Sequence, residues 1–186
     1  MKLFTTAALS FAMLAGTAMT AQAADFKLTS PDIKEGGTVP LPHVMNAMGC
    51  TGGGVSPALS WSGAPEGTKS FALTVYDPDA PTGSGFWHWV VVNIPASTSS
   101  IAAGTKPDGI GLPAGSLQTR TDAGAGTGYL GPCPPVGDKP HRYIFSVIAL
   151  KTDKLDVNAD ASGAYVGFNI HFAELGRATL TATYGR

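Results

Sequence analysis

The sequence predicts a mainly β protein, a sandwich of strands with one peripheral helix in the C-terminal region. Three observations carry that expectation. Ser70–Tyr76 (SFALTVY), Trp87–Ile94 (WHWVVVNI) and Tyr143–Leu150 (YIFSVIAL) are near-continuous apolar, aromatic and β-branched runs, the pattern of strands covered on both faces. The chain holds 24 Gly and 14 Pro but only 13% charged residues, a composition of short strands and ordered loops rather than helical bundles. Helical spacing arrives once, late, after the strands.

In chain order, the first element is a leader. Lys2, the apolar run Ala7–Met19 and Ala21-Gln22-Ala23 form an n-region, an h-region and an A-x-A cleavage site, so residues 1–23 read as a signal peptide cut before Ala24. The run is too short and too rich in Ala, Gly and Thr for a membrane anchor. No Cys stands beside the cut to take a lipid. Residues 24–186 then read as a single domain, periplasmic or secreted, with no later segment apolar enough to span a bilayer. The net charge of −1 leaves no basic excess, which argues against a nucleic-acid partner.

Phe26–Thr29 alternates apolar and polar residues and reads as a first strand. Lys34–His43 reads as loop and edge structure, Asn46–Pro57 as a Gly-rich loop, Leu59–Trp61 as a short strand and Ala64–Gly67 as a turn. Pro95–Pro140 reads as one long loop region, a length that usually signals function. Asn158 or Asp160 is the expected cap of a helix over about Ser162–Arg177. On it Val166, Ile170, Ala173 and Arg177 make no clean stripe, whereas Phe168, Phe172 and Leu175 fall near one face. Leu180–Tyr184 reads as the last strand. Cys50 and Cys133, an even count in an exported chain, suggest one disulfide; two free buried thiols are the alternative.

The chemistry gathers at strand ends. The first strong strand runs into Asp77-Pro78-Asp79-Ala80-Pro81, the second opens Phe86-Trp87-His88-Trp89, and the third follows Gly131-Pro132-Cys133-Pro134-Pro135 and starts His141-Arg142-Tyr143. Period two places His88 with Val90 and Val92, Trp87 with Trp89 and Val91, and His141 with Tyr143 and Phe145. Two imidazoles and a carboxylate converging on one pocket suit a small anion, because imidazoles donate hydrogen bonds and a carboxylate can orient them. A protonated His88 or His141 on the anion predicts affinity that falls as pH rises. Spacing alone leaves open the plainer reading of satisfied core histidines and turn-capping aspartates.

SPALSW (Ser56–Trp61), YDPDAPTGSGFWHWVVVNIP (Tyr76–Pro95), GYLGPCPPVGDKPHRYIF (Gly128–Phe145) and the terminal LTATYGR resemble the phosphatidylethanolamine-binding proteins, in particular the bacterial YbhB/YbcL branch, often labelled Raf-kinase-inhibitor-like. The resemblance covers essentially the whole chain after the leader. It implies two antiparallel sheets with an anion pocket at one end. Position by position it implies ligand-binding roles for Asp77, Pro81, His88, Pro134 and His141, with Tyr129 at the mouth. Asp79 and Arg142 match family positions and are expected to pair as a brace behind the site. The sequence runs to YGR without the helix that covers the pocket in mammalian relatives, which implies a more open site. The branch also suggests a homodimer.

His43 and His171 have no motif partner and read as packing or surface residues, Trp61 as core, and Asp108 and Asp122 as turn residues. Ser84 lacks a G-x-S-x-G elbow. The leading expectation is an exported protein that binds phosphate or a phospholipid headgroup and can act on a protein partner, with no cofactor and no metal. The alternative is a metal-dependent or acid–base hydrolase using Asp77, His88 and His141, although no HExxH or paired-Cys pattern supports it. A third reading is an extracellular interaction protein whose working surface lies away from the pocket.

Overall fold

The structure, a computed structural model, describes residues 25–124 and 126–186; the expected leader lies outside the described residues. Two antiparallel sheets form as expected. Lys27–Thr29 (β1), Leu59–Ser62 (β2) and Ser100–Ile101 (β5) make a three-stranded sheet in the order β1-β2-β5. Ser70–Asp77 (β3), Phe86–Pro95 (β4), Leu117–Gln118 (β6), His141–Leu150 (β7) and Glu174–Tyr184 (β8) make a five-stranded sheet in the order β6-β4-β3-β7-β8. The helix, α1, spans Gly163–Ala173 and packs on the outer face of the larger sheet.

The apolar runs take central places because both their faces are covered. One row of β3, β4 and β7 (Leu73, Val75, Trp89, Val91, Tyr143, Phe145, Val147) packs against Leu59 and Trp61 of the smaller sheet. The opposite row (Ala72, Val90, Val92, Ile148, Leu150) packs beneath Val166, Ile170 and Ala173 of α1. Each buried aliphatic side chain of this kind stabilises the fold by roughly 1.5–3 kcal/mol.

The helix departs from the sequence expectation at both ends and in its buried face. Ser162 is the cap, its hydroxyl accepting from the Tyr165 N–H, while Asn158 and Asp160 form a turn just before it. The helix stops at Ala173 because Glu174–Arg177 join the β7–β8 ladder, which begins at Leu150 opposite Glu174. Val166, Ile170 and Ala173, together with Gly163, do form the buried stripe, and Phe168 and Phe172 face outward. Gly163 decides this orientation: a Cβ there would overlap the Trp87 ring, so only glycine lets the helix sit this close.

The Pro95–Pro140 region carries more order than a loop. It contributes β5 and β6, and Gln118 pins it by accepting from Trp89 Nε1 at 2.7 Å and donating to the Lys106 carbonyl at 2.8 Å. Cys50 and Cys133 form the disulfide, joining positions separated by 83 residues. Chain-entropy reasoning puts the stabilisation from closing such a loop at roughly 4–5 kcal/mol.

Candidate functional site

Three rows of the inter-sheet face run out at one end of the larger sheet, and each ends in a polar group. Leu73-Val75 continues to Asp77, and Phe145-Tyr143 continues to His141. On β4 the row Val91-Trp89 ends differently. Val75 pairs with Trp89 and Tyr76 pairs with Trp87, which leaves His88 as an extra residue with no partner on β3. This β-bulge breaks the two-residue alternation. Trp87 turns to the helix side, beside Val90 and Val92, and His88 turns toward Tyr143, with ring centroids 5.2 Å apart. The sequence expectation grouped His88 with Val90 and Val92; the bulge reverses it.

Asp77 ties the site together. Its Oδ1 accepts from the backbone N–H groups of Asp79 at 2.8 Å and Ala80 at 3.1 Å, closing the turn after β3. Its Oδ2 lies 2.7 Å from Nδ1 of His141, and both side chains are buried. The other nitrogen of His141, Nε2, faces Asp138 Oδ2 at 3.5 Å across a shallow outer groove. His88 directs Nδ1 at the Leu130 carbonyl, 3.0 Å away. Burial drives its pKa down from 6.5 to about 4 against the opposing pull of Asp77, so the ring is neutral at neutral pH. The expected cationic role on an anion therefore does not belong to His88.

These groups line a cavity of about 120 Å³. Pro81, Phe86 and Pro134 wall it, with Met45 just before the Gly-rich loop and Met48 within it. Two segments form that side of the rim by packing backbone against backbone. Met45 N–H donates to the Pro132 carbonyl at 3.1 Å, and a Cβ at Gly131 would overlap Met45 N and the His43 carbonyl. The Cys50–Cys133 bond and Arg186, which donates to the carbonyls of Pro134 at 2.6 Å and Gly49 at 2.9 Å, fasten the same segments.

Residues 29–185 match the family model described as phosphatidylethanolamine-binding protein. The chain belongs to the phosphatidylethanolamine-binding protein family. It is 52% identical to UPF0098 protein YbcL of Escherichia coli (strain K12) over 174 residues, 92% of this chain and 94% of that one. It is 53% identical to YbhB of the same strain over 158 residues, 85% of this chain and 99% of that one. The crystal structure of E. coli YbcL, titled a new member of the mammalian PEBP family, matches with a TM-score of 0.85 at 51% identity, covering 88% of this chain and 99% of that one. A Mycobacterium tuberculosis protein named putative lipoprotein LppC is 33% identical over 84% of this chain and 71% of its own length.

Within this member of the phosphatidylethanolamine-binding protein family, Asp77, Pro81, His88, Pro134 and His141 come together around the cavity. Tyr129 does not stand at its mouth. It is buried behind the site, its hydroxyl donates to the His43 carbonyl at 2.8 Å, and its ring meets Trp89 edge-on. Asp79 and Arg142 do pair: Asp79 Oδ2 accepts from Arg142 N at 2.9 Å and Nε at 2.8 Å, and Oδ1 accepts from Nη2 at 2.7 Å. The guanidinium holds Asp79 down at a pKa of about 2.

Tyr143 is the site residue the sequence reading passed over as core. Its hydroxyl is buried and reaches no partner at full hydrogen-bonding geometry, its one side-chain contact being a longer one with Asp77. Burial, reinforced by the charge and contact of Asp77, pushes its pKa up, so it stays a neutral donor. The available signal was its place two residues beyond His141 on one strand face. Among the described residues, no three His, Cys, Asp or Glu side chains are grouped to hold a metal ion. Asp77 and both Nδ1 atoms are already committed to protein partners.

Two outcomes follow from this geometry. A histidine with a folded-state pKa lowered from 6.5 to about 4 stabilises least where the unfolded chain binds the extra proton. Stability should therefore fall by about 3 kcal/mol as pH drops from 6.5 to 4, and H88Q should flatten that window in denaturant titrations. An unchanged pH slope in H88Q would contradict the neutral, buried ring. D79A should lower the melting temperature while leaving phosphate affinity within about twofold; an unshifted melt would remove the brace. The Asp79 contribution is full above pH 3.8 and is lost as pH falls toward 2.

Proposed function

We propose that this protein is an exported binding protein whose pocket takes phosphate or a phospholipid headgroup. The observation that carries the reading is the unpartnered, buried Tyr143 hydroxyl beside the Asp77–His141 pair, on the floor of a cavity walled by Met, Phe and Pro. A buried hydroxyl without a partner costs free energy that a bound oxygen recovers. The apolar rim excludes water and strengthens each contact inside. His141, oriented by Asp77, lines the same cavity and holds that carboxylate in place. Membership of the phosphatidylethanolamine-binding protein family supports a ligand that carries a phosphate group.

Export is supported by the leader-like residues 1–23, the disulfide, and the lipoprotein name of one relative. Among the described residues no helix is long and apolar enough to cross a membrane.

Titration calorimetry with inorganic phosphate and phosphorylethanolamine tests the pocket. Both should bind, and Y143F and H141Q should each weaken binding by about tenfold to 100-fold while near-ultraviolet dichroism stays native. Equal affinity in folded Y143F would sink the reading. For export, N-terminal sequencing of protein from outside the cytoplasm should begin at Ala24; a chain recovered there with Met1 intact would count against cleavage.

A further inference from the structure

One lining group has its hydrogen-bonding role fixed by the backbone. The Leu130 carbonyl can only accept, so Nδ1 of His88 carries the proton that bridges their 3.0 Å separation. Leu130 N–H in turn donates to the His88 carbonyl at 2.8 Å, so strand and loop hold each other and the carbonyl cannot swing away. The ring therefore keeps a lone pair on Nε2, and the ring itself lines the cavity. Asp77 has no comparable capacity to spare, because both its oxygens already accept from the protein.

We propose that the pocket selects a phosphate group that still carries a proton, and discriminates against anions and phosphodiesters that offer acceptors only. The proposal rests on the reading of this pocket as a phosphate site and narrows it. Hydrogen phosphate brings both kinds of group: its P–O–H donates to His88 Nε2, and a bare oxygen accepts from the Tyr143 hydroxyl. Sulfate has the same shape and charge but no proton to give. It must set an oxygen against the Nε2 lone pair, break the Leu130 bond by changing tautomer, or force a proton onto His88.

The last route is closed by the surroundings of the ring. His88 is packed against Phe86 of its own strand and Tyr143 of β7. Asp77 at the end of β3, Asp122 in the loop and the Leu130 and Gly131 backbone favour its protonation, yet burial outweighs them together and leaves a pKa of about 4. Protonation at pH 7 then costs a factor of about 10³, which bounds the discrimination from above. Loss of one hydrogen bond sets the lower bound at about tenfold. The diester of an intact phospholipid lacks the P–O–H too. Free phosphate and phosphomonoesters share the preferred chemistry.

Calorimetry on the full mature protein separates these cases. At pH 7, inorganic phosphate should bind at least about tenfold more tightly than sulfate. At pH 5.5, phosphorylethanolamine, whose second ionisation lies near pH 6, should exceed glycerophosphorylethanolamine, a diester with the same ammonium, by a similar factor. Replacing the ring with an amide that donates as well as accepts, H88Q, should raise sulfate binding and narrow both preferences. A preference below about threefold in either wild-type pair overturns the proposal while leaving the phosphate site standing. If neither phosphate nor phosphorylethanolamine binds, the phosphate site falls and this selectivity falls with it.

Discussion

The extra residue at His88, near the start of β4, is the constraint on which the site depends. A sheet buried on both faces has two kinds of row, one toward the smaller sheet and one toward the helix, and regular alternation would send His88 to the helix side with Val90. There it would lie beneath α1, where Trp87 now packs against Gly163. The bulge exchanges the two. One unpaired position gives the helix its aromatic partner and the pocket its imidazole in the same step, at the cost of a locally broken ladder.

Around that ring the protein separates charge by depth. At the surface, Arg142 meets Asp79 with both prongs and the backbone, and the carboxylate is held ionised. Deeper in, Asp77 is satisfied by two backbone donors and His141. Beside it His88, also buried, is neutral because burial outweighs the carboxylate close by. The gradient works because an unpaired buried charge is far more costly than a neutral polar group. It leaves a floor of directional hydrogen-bonding groups rather than a cluster of cations, so selection there depends on the pattern of donors and acceptors.

The strong strands were legible because burial on both faces writes itself as a continuous apolar run, and β3, β4 and β7 start and end within a residue or two of the expected positions. The pocket groups Asp77, His88 and His141 were legible through the strand-end motifs. The direction of His88 was not, because a bulge depends on the partner strand and has no signature in WHWVVVNI itself. Tyr143 was hidden by its neighbours: a tyrosine in a core row reads as packing until the row is seen to end at a cavity. The helix misled for a related reason. Phe168 and Phe172 are the larger apolar residues, but the close approach permitted by Gly163 selects the smaller Val166, Ile170 and Ala173 for the buried side. Tyr129 was placed by motif carry-over, which fixes chain position but not depth.

The rim is built from segments 83 residues apart that are fastened to each other and to the strands beside them. Entropy charges for added length only logarithmically, about 0.6 kcal/mol for each doubling of a flexible loop. The exposed turns between the strands of that interval can therefore grow or shrink at little thermodynamic cost, provided that the strands and Gln118 keep their places. The exposed turns of the Pro95–Pro140 region are thus the part of the molecule most open to insertion. New surface can be added there within reach of the pocket without redesign of the residues that form its floor.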